Sequence, residues 1–315
     1  MRVAITDHPF PSLDIEKQLL GDIGAEIVQG DCTREEDVLD LCREADAILV
    51  TYAPVTSRVV AGLTKCRIIA RYGIGVDNVD VPAASQRGIV VTNVPDYCVD
   101  EVSDHALALL LACARKIVAL DRLVHEGTWD YRPLRPFPRL RGKTVGLLGY
   151  GKIARALASK VVALGMCVVV YDPYVPAHVV QQSGLAQVDS VNELCREADF
   201  LSLHVPLVPE TRGIVGDTAL GLMKKTAFVI NTSRAGIVDE AALTRAIQGG
   251  RIAGAGLDFL SDPTSDNPLL QMPQVIITPH AAFYSEESTE ELQRRAVGEV
   301  VRVLTGKPPL SPVKV

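Results

Sequence analysis

The stretch from Lys143 to Asp172 reads KTVGLLGYGKIARALASKVVALGMCVVVYD. An apolar run over 144–149 ends on a glycine, and the loop Gly149-Tyr150-Gly151-Lys152-Ile153-Ala154 follows. A helical pattern then covers 151–164, and a second apolar run over 167–172 ends on an acid. Strand period, helix period and strand period in that order describe a parallel βαβ unit. The loop is G-x-G-x-x-A, and its last position lies 18 residues before Asp172 (172 − 154). Gly149 permits the tight turn, Gly151 lets a pyrophosphate approach the backbone, and Ala154 lets the helix lie close to the strand. The helix N-terminus adds N–H donors and the positive end of its dipole.

These features imply a bound dinucleotide. Asp172 would accept hydrogen bonds from the adenosine ribose hydroxyls and repel a 2′-phosphate, so NAD is expected rather than NADP. The same alternation extends outward. Strands are expected at 2–6, 47–52, 67–73, 89–94, 144–149, 167–172, 200–205, 227–233, 253–258 and 275–280, and helices at 34–45, 102–125, 151–164, 190–198, 240–249 and 286–305. Many of the strands are apolar on both faces, as in a parallel sheet covered by helices. With 315 residues, about two domains are expected. The fold class is α/β, with two doubly wound parallel-sheet domains and a cleft between them.

Composition removes other classes. Hydrophobic residues make up 48% and charged residues 22%, which excludes a disordered chain. The net charge of −6 gives no global attraction for nucleic acid. No apolar run reaches the ~20 residues of a membrane span, and the N-terminus lacks a signal-peptide pattern. The seven cysteines are scattered without a CxxC pair. They read as small buried residues in a reducing cytoplasm, with no disulfide framework and no metal site.

Reduction of a 2-oxo acid needs a cation for the carboxylate and carbonyl, an acid to protonate the alkoxide, and a partner for that acid. Arg234 follows the strand at 227–233 among small neighbours, Ser233, Ala235 and Gly236, and its planar fork suits a carboxylate. His280 follows the strand at 275–279 in a Thr-Pro-His-Ala-Ala context, and histidine exchanges protons near neutral pH.

The segments RYGIGVDNVD (71–80), the loop at 149–154, SLHVPLVPETRGIV (202–215), INTSRAGIVDE (230–240), GLD (256–258) and TPHAAFYSEES (278–288) together resemble the D-isomer-specific 2-hydroxyacid dehydrogenase family. The last segment is most similar to the branch of the C-terminal-binding-protein corepressors and their bacterial relatives. The resemblance implies a flavodoxin-like substrate domain of 1–95 plus 286–315 and a Rossmann NAD-binding domain of 96–285. It implies that Arg234 holds the substrate carboxylate and carbonyl and that His280 is the acid/base. It assigns Arg71, Gly73, Ile74 and Gly75 to the substrate loop. It places Asp258 near the nicotinamide carboxamide and His204, Val205 and Pro206 along the adenine side. Thr232 and Ser233 fall on the cofactor face. Further cofactor contacts are implied at Val102, Tyr150, Lys152, Ile153, Pro173, Thr211 and Ala282.

The chain departs from the family in two places. The family pairs its histidine with a glutamate before proline, five residues after the aspartate that matches Asp258. Here the acid before proline is Asp262, four residues on, which makes it the expected partner of His280, with Asp266 second. Phe283 stands where the corepressor branch often has Trp, and it is expected to shape the substrate pocket. The arginine-rich segment 129–141 and the helix at 102–125 are expected at a homodimer interface. The resulting expectation is an NAD-dependent D-2-hydroxyacid dehydrogenase. The alternatives are a corepressor-like NAD sensor and a dehydrogenase of a phosphorylated hydroxyacid such as 3-phosphoglycerate.

Overall fold

Short runs rich in Val, Ile and Leu pair in parallel to build two sheets in the computed structural model, which describes residues 1–314. The first sheet contains β1 (Arg2–Ile5), β2 (Glu26–Gln29), β3 (Ala47–Val50), β4 (Ile68–Arg71) and β5 (Val90–Thr92). Its order is β2-β1-β3-β4-β5. Helices α1 (Asp14–Gly21), α2 (Glu35–Cys42), α3 (Ser57–Gly62) and α4 (Val81–Gln86) make the crossovers. Every residue of β3 and β4 is buried, as central parallel strands require. Thr56 and Asp80 cap α3 and α4 by accepting the Val59 and Ala83 N–H groups.

The second sheet follows α5 (Val99–Arg115) and α6 (Ile117–His125). Its elements are β6 (Thr144–Leu148), α7 (Lys152–Ala163), β7 (Cys167–Tyr171), α8 (Ala177–Gln182), β8 (Ala186–Gln187), α9 (Val191–Glu197), β9 (Phe200–Leu203), α10 (Asp217–Leu222), β10 (Phe228–Asn231), α11 (Glu240–Gln248), β11 (Gly254–Leu257) and β12 (Val275–Ile277). The order is β12-β11-β10-β9-β6-β7-β8, so it reverses at β6 and β9. In doubly wound sheets, ligands lie beyond the carboxyl ends of the strands at such a reversal. Finally α12 (Glu286–Leu304) packs against α1, β3 and β4. Two compact units result: Met1–Tyr97 with Tyr284–Val315, and Cys98–Phe283.

Each strand expected from the sequence is present, and the edge strands β2 and β8 are additional. The expected helix at 102–125 is two helices. Lys116 turns left-handed at φ 54 and closes α5, and its Nζ donates to the Leu134 carbonyl at 2.5 Å. In the first unit, Glu16 is wholly buried and accepts from the Tyr72 hydroxyl at 2.8 Å and from Gln293 Nε2 at 3.0 Å. That cluster ties α1 and α12 to the end of β4. Cys32, Cys42, Cys98, Cys113 and Cys195 are buried and Cys167 is exposed. Burial pushes the Cys195 thiol up to about 11, so it stays protonated and inert.

Leu194 of α9 is fully buried beneath Gly146 of β6. Leu194→Ala is expected to cost about 2–5 kcal/mol in urea unfolding, because the rigid sheet above it cannot collapse into the cavity.

Candidate functional site

The glycine loop owes its shape to a backbone crossing. Gly149 has φ +92, and a Cβ there would lie 3.0 Å from the carbonyl carbon and oxygen of His204. Only glycine tolerates both the angle and the approach. At Gly151 an added Cβ would meet nothing within 4 Å, so the space over the first turn of α7 is open. The N–H groups of that turn point into it. Asp172, at the end of β7, accepts the Tyr150 N–H at 2.8 Å on one oxygen and the Tyr174 N–H at 2.9 Å on the other. Each oxygen keeps a lone pair for a ribose hydroxyl.

Other expected cofactor residues divide by position. The Tyr150 ring belongs to the core, with the Arg155 guanidinium 4.5 Å over its centroid. Val102 and Ala282 are buried, Ile153 and Val205 are half-buried, and Lys152, Pro173 and Pro206 are exposed. The Thr211 hydroxyl accepts the Val208 N–H at 2.9 Å and donates to the Pro206 carbonyl at 2.6 Å, which fixes the loop after β9. His204 Nε2 pairs with Ser202 Oγ at 2.9 Å, and burial pushes the imidazole down to about 4. It is therefore neutral at working pH. The Thr232 hydroxyl is buried and has no partner among the described residues. An open glycine cradle, a carboxylate at the next strand end and an orphaned hydroxyl together fit a dinucleotide.

The candidate catalytic side chains Arg234 and His280 follow β10 and β12, and Asp258 follows β11. Asn231, 1% exposed, accepts the Ser233 N–H at 3.0 Å and donates to the Arg234 carbonyl at 2.8 Å. It sets the turn that presents Arg234, while Ser233 Oγ donates to the Val205 carbonyl at 2.6 Å. Asp258 is 1% exposed and its carboxylate is met by three donors. It accepts from the Thr278 hydroxyl at 2.5 Å, the Ala281 N–H at 2.9 Å and the Ala282 N–H at 3.0 Å. Its carbonyl accepts the His280 N–H at 3.0 Å. These bonds hold His280 at φ 53, a conformation that disfavours a residue with a Cβ.

Thr278 has one hydroxyl proton and spends it on Asp258. It must therefore accept from His105 Nε2, 2.9 Å away on α5. His105 and Asn231 are positioning residues that the sequence reading did not assign. The His280 ring lies 4.2 Å from the Phe259 ring and 5.4 Å from the Phe283 ring, centroid to centroid.

Asp262, expected to pair with His280, sits in a turn of its own. Asp262 is exposed, its Oδ1 accepts the Thr264 N–H at 3.0 Å, and its carbonyl accepts from Asn267 Nδ2 at 2.7 Å. It builds the turn before Pro263, as an Asp before proline does. Asp266 is exposed as well.

The first unit has a glycine turn of its own over residues 73–75. Gly73 has φ +141, and a Cβ there would lie 1.4 Å from Arg71 Nη1, so the buried guanidinium packs over it. The Gly73 N–H is spent on the Arg71 carbonyl at 3.0 Å. Asn93 Nδ2 takes the Ile74 carbonyl at 2.7 Å. The N–H groups of Ile74 and Gly75 have no acceptor among the described residues.

Residues 107–282 match the sequence model of the D-isomer specific 2-hydroxyacid dehydrogenase NAD binding domain. The D-3-phosphoglycerate dehydrogenase of Methanocaldococcus jannaschii is 38% identical over 309 residues, 98% of this chain and 58% of the relative. The glyoxylate reductase of Korarchaeum cryptofilum is 37% identical over 278 residues, 86% of this chain and 83% of the relative. The solved structure of D-lactate dehydrogenase from Aquifex aeolicus, complexed with NAD and lactic acid, matches with a TM-score of 0.87 at 27% identity, covering 96% of each chain. The chain spans about half the length of the phosphoglycerate dehydrogenases it matches.

The depressed His204 has a consequence for stability. Its folded value, about 4, lies below the ordinary 6.5. Between those values the unfolded chain binds a proton that the folded chain does not, so stability is lost as pH falls through this window. Urea midpoints at pH 5 and pH 7 should show that loss, and His204→Gln should flatten the slope by up to one proton.

Proposed function

Because the chain belongs to the D-isomer-specific 2-hydroxyacid dehydrogenase family, we propose that it is an oxidoreductase that interconverts a D-2-hydroxy acid and its 2-oxo acid with NAD(H). The carrying observation is that Arg234 and His280, which follow β10 and β12, flank the Phe259 ring in the loop just past β11, the strand between them. The Cys98–Phe283 unit is assigned to the cofactor and the other unit to the substrate.

Bound NADH supplies the hydride that the carbonyl carbon accepts. Arg234 offers parallel N–H donors to the carboxylate and polarises the carbonyl oxygen. The His280 imidazolium gives its proton to that oxygen as negative charge develops, and the neutral imidazole takes the hydroxyl proton in the reverse direction. The Ile74–Gly75 turn is assigned the same class of ligand, a carboxylate. The Asp172 carboxylate favours NAD by repelling a 2′-phosphate. Small and phosphorylated 2-oxo acids are the favoured substrates, given the names of the relatives.

A homodimer belongs to the same proposal. No residue of α6 is buried, although Ile117, Val118 and Val124 lie on it at 55%, 53% and 47% exposure, and Trp129 beyond it is 90% exposed. Apolar side chains gathered this way mark an interface, and the occupant is a second copy of this chain. The 278–288 segment supports the corepressor-like branch, and the buried thiols suit a reducing cytoplasm.

Absorbance at 340 nm against a panel of glyoxylate, hydroxypyruvate, pyruvate, aromatic and phosphorylated 2-oxo acids tests the reaction. Turnover on at least one member is expected, and Arg234→Ala and His280→Ala should each lower kcat/KM about a thousandfold. Undiminished turnover in either variant overturns the assignment. Sedimentation should give twice the chain mass, and Ile117→Asp with Val118→Asp should give the single-chain mass.

A further inference from the structure

Arg234 and His280 come from strands that are not neighbours: β11 lies between β10 and β12. At about 4.8 Å per strand, their backbones leave a gap about 10 Å wide at the sheet's carboxyl edge. The residue that fills it is Phe259, one position past the buried Asp258. The Arg234 guanidinium carbon lies 5.5 Å from the Phe259 ring centroid. The His280 ring lies 4.2 Å from the same centroid, its plane tilted by 46°. Phe283 closes on His280 from elsewhere, edge-on at 73°.

We propose that Phe259 is the positioning residue for both chemistry groups: its ring sets the spacing of Arg234 and His280 and favours the imidazolium form of His280. The proposal deepens the dehydrogenase reading and rests on it. The physical reason is the ring's quadrupole, whose faces attract cations. A guanidinium and an imidazolium on either side of this half-buried position repel each other, and each disfavours the charge of the other unless something between them attracts both.

Several charged and titratable groups of the same unit make bonds of their own. Asp258, from β11, spends its carboxylate on Thr278 and the 281–282 N–H groups. His105, from α5, reaches Thr278. Glu240, from α11, accepts the Ser261 N–H at 2.6 Å, and Asp262 is bonded within its own turn.

The experiment uses the full chain with Phe259→Leu and Phe259→Tyr. The first keeps most of the volume and removes the ring; the second keeps the ring. NMR titration of ring-labelled histidine, with His280→Gln to assign the resonance, reads the His280 pKa without any turnover. Phe259→Leu is expected to lower it by about half a pH unit or more. The same variant should lower kcat about tenfold, and the optimum for reduction should move down with the pKa. NADH affinity by fluorescence should hold, which also reports that the variant folds. Phe259→Tyr should restore the pKa and most of kcat. An unchanged His280 pKa in folded Phe259→Leu, or equal loss in Phe259→Tyr, overturns the proposal. If no 2-oxo acid is turned over by the wild-type chain, the dehydrogenase reading fails instead, and the titration still decides the role of the ring.

Discussion

A carboxylate buried to 1% exposure must be matched by donors, and the donors of Asp258 give this site its shape. They are the Thr278 hydroxyl and two consecutive N–H groups from the chain just past His280. Charge-assisted bonds of this kind are short and strong. They close the segment after β12 into a tight loop whose strained residue is His280. The backbone N–H of Asp258 donates to the Asn231 carbonyl at 2.8 Å, and Asn231 in turn shapes the Arg234 turn. One buried acid thus links three strand ends, and Arg234 and His280 are carried on what it links.

Much of this was legible in the sequence where spacing is local. The glycine loop and Asp172 belong to one βαβ unit, so strand period, helix period and the terminal acid can be read in a single window. Arg234 and His280 follow apolar runs directly, and position at a strand end is all their reading needs. The central strands are apolar on both faces and declare themselves. β2 and β8 do not, because edge strands are half exposed and short. The pattern across 102–125 gave one helix because apolar spacing continues through Lys116. The break depends on a left-handed residue and a bond to the Leu134 carbonyl 18 residues on.

The site residues that went unassigned share a cause. Phe259 acts across the sheet, between side chains 25 residues before it and 21 after it (259 − 234, 280 − 259). His105 reaches Thr278 across 173 residues. Neither separation leaves a periodic signal. Asp262 is the opposite case. Its sequence position matches a partner's role by analogy, and in the structure its carboxylate also accepts the local Thr264 N–H. The shorter loop then leaves the middle of the sheet edge to an aromatic ring.

The first unit repeats the device with different donors. Asp7, 7% exposed, accepts the Thr51, Tyr52 and Ala53 N–H groups and so shapes the loop after β3. Glu16 holds Tyr72, the residue between Arg71 and Gly73, through the phenol hydroxyl. Burial and the neighbouring Glu16 push that hydroxyl well above its ordinary range, so it remains a donor at any working pH. In these bonds both carboxylates are met by neutral donors. Neutral donors offset less of the desolvation cost than a cation would, but they fix direction. The nearby turn whose Ile74 and Gly75 N–H groups have no acceptor among the described residues keeps them so because a rigid loop offers fewer carbonyls to capture them.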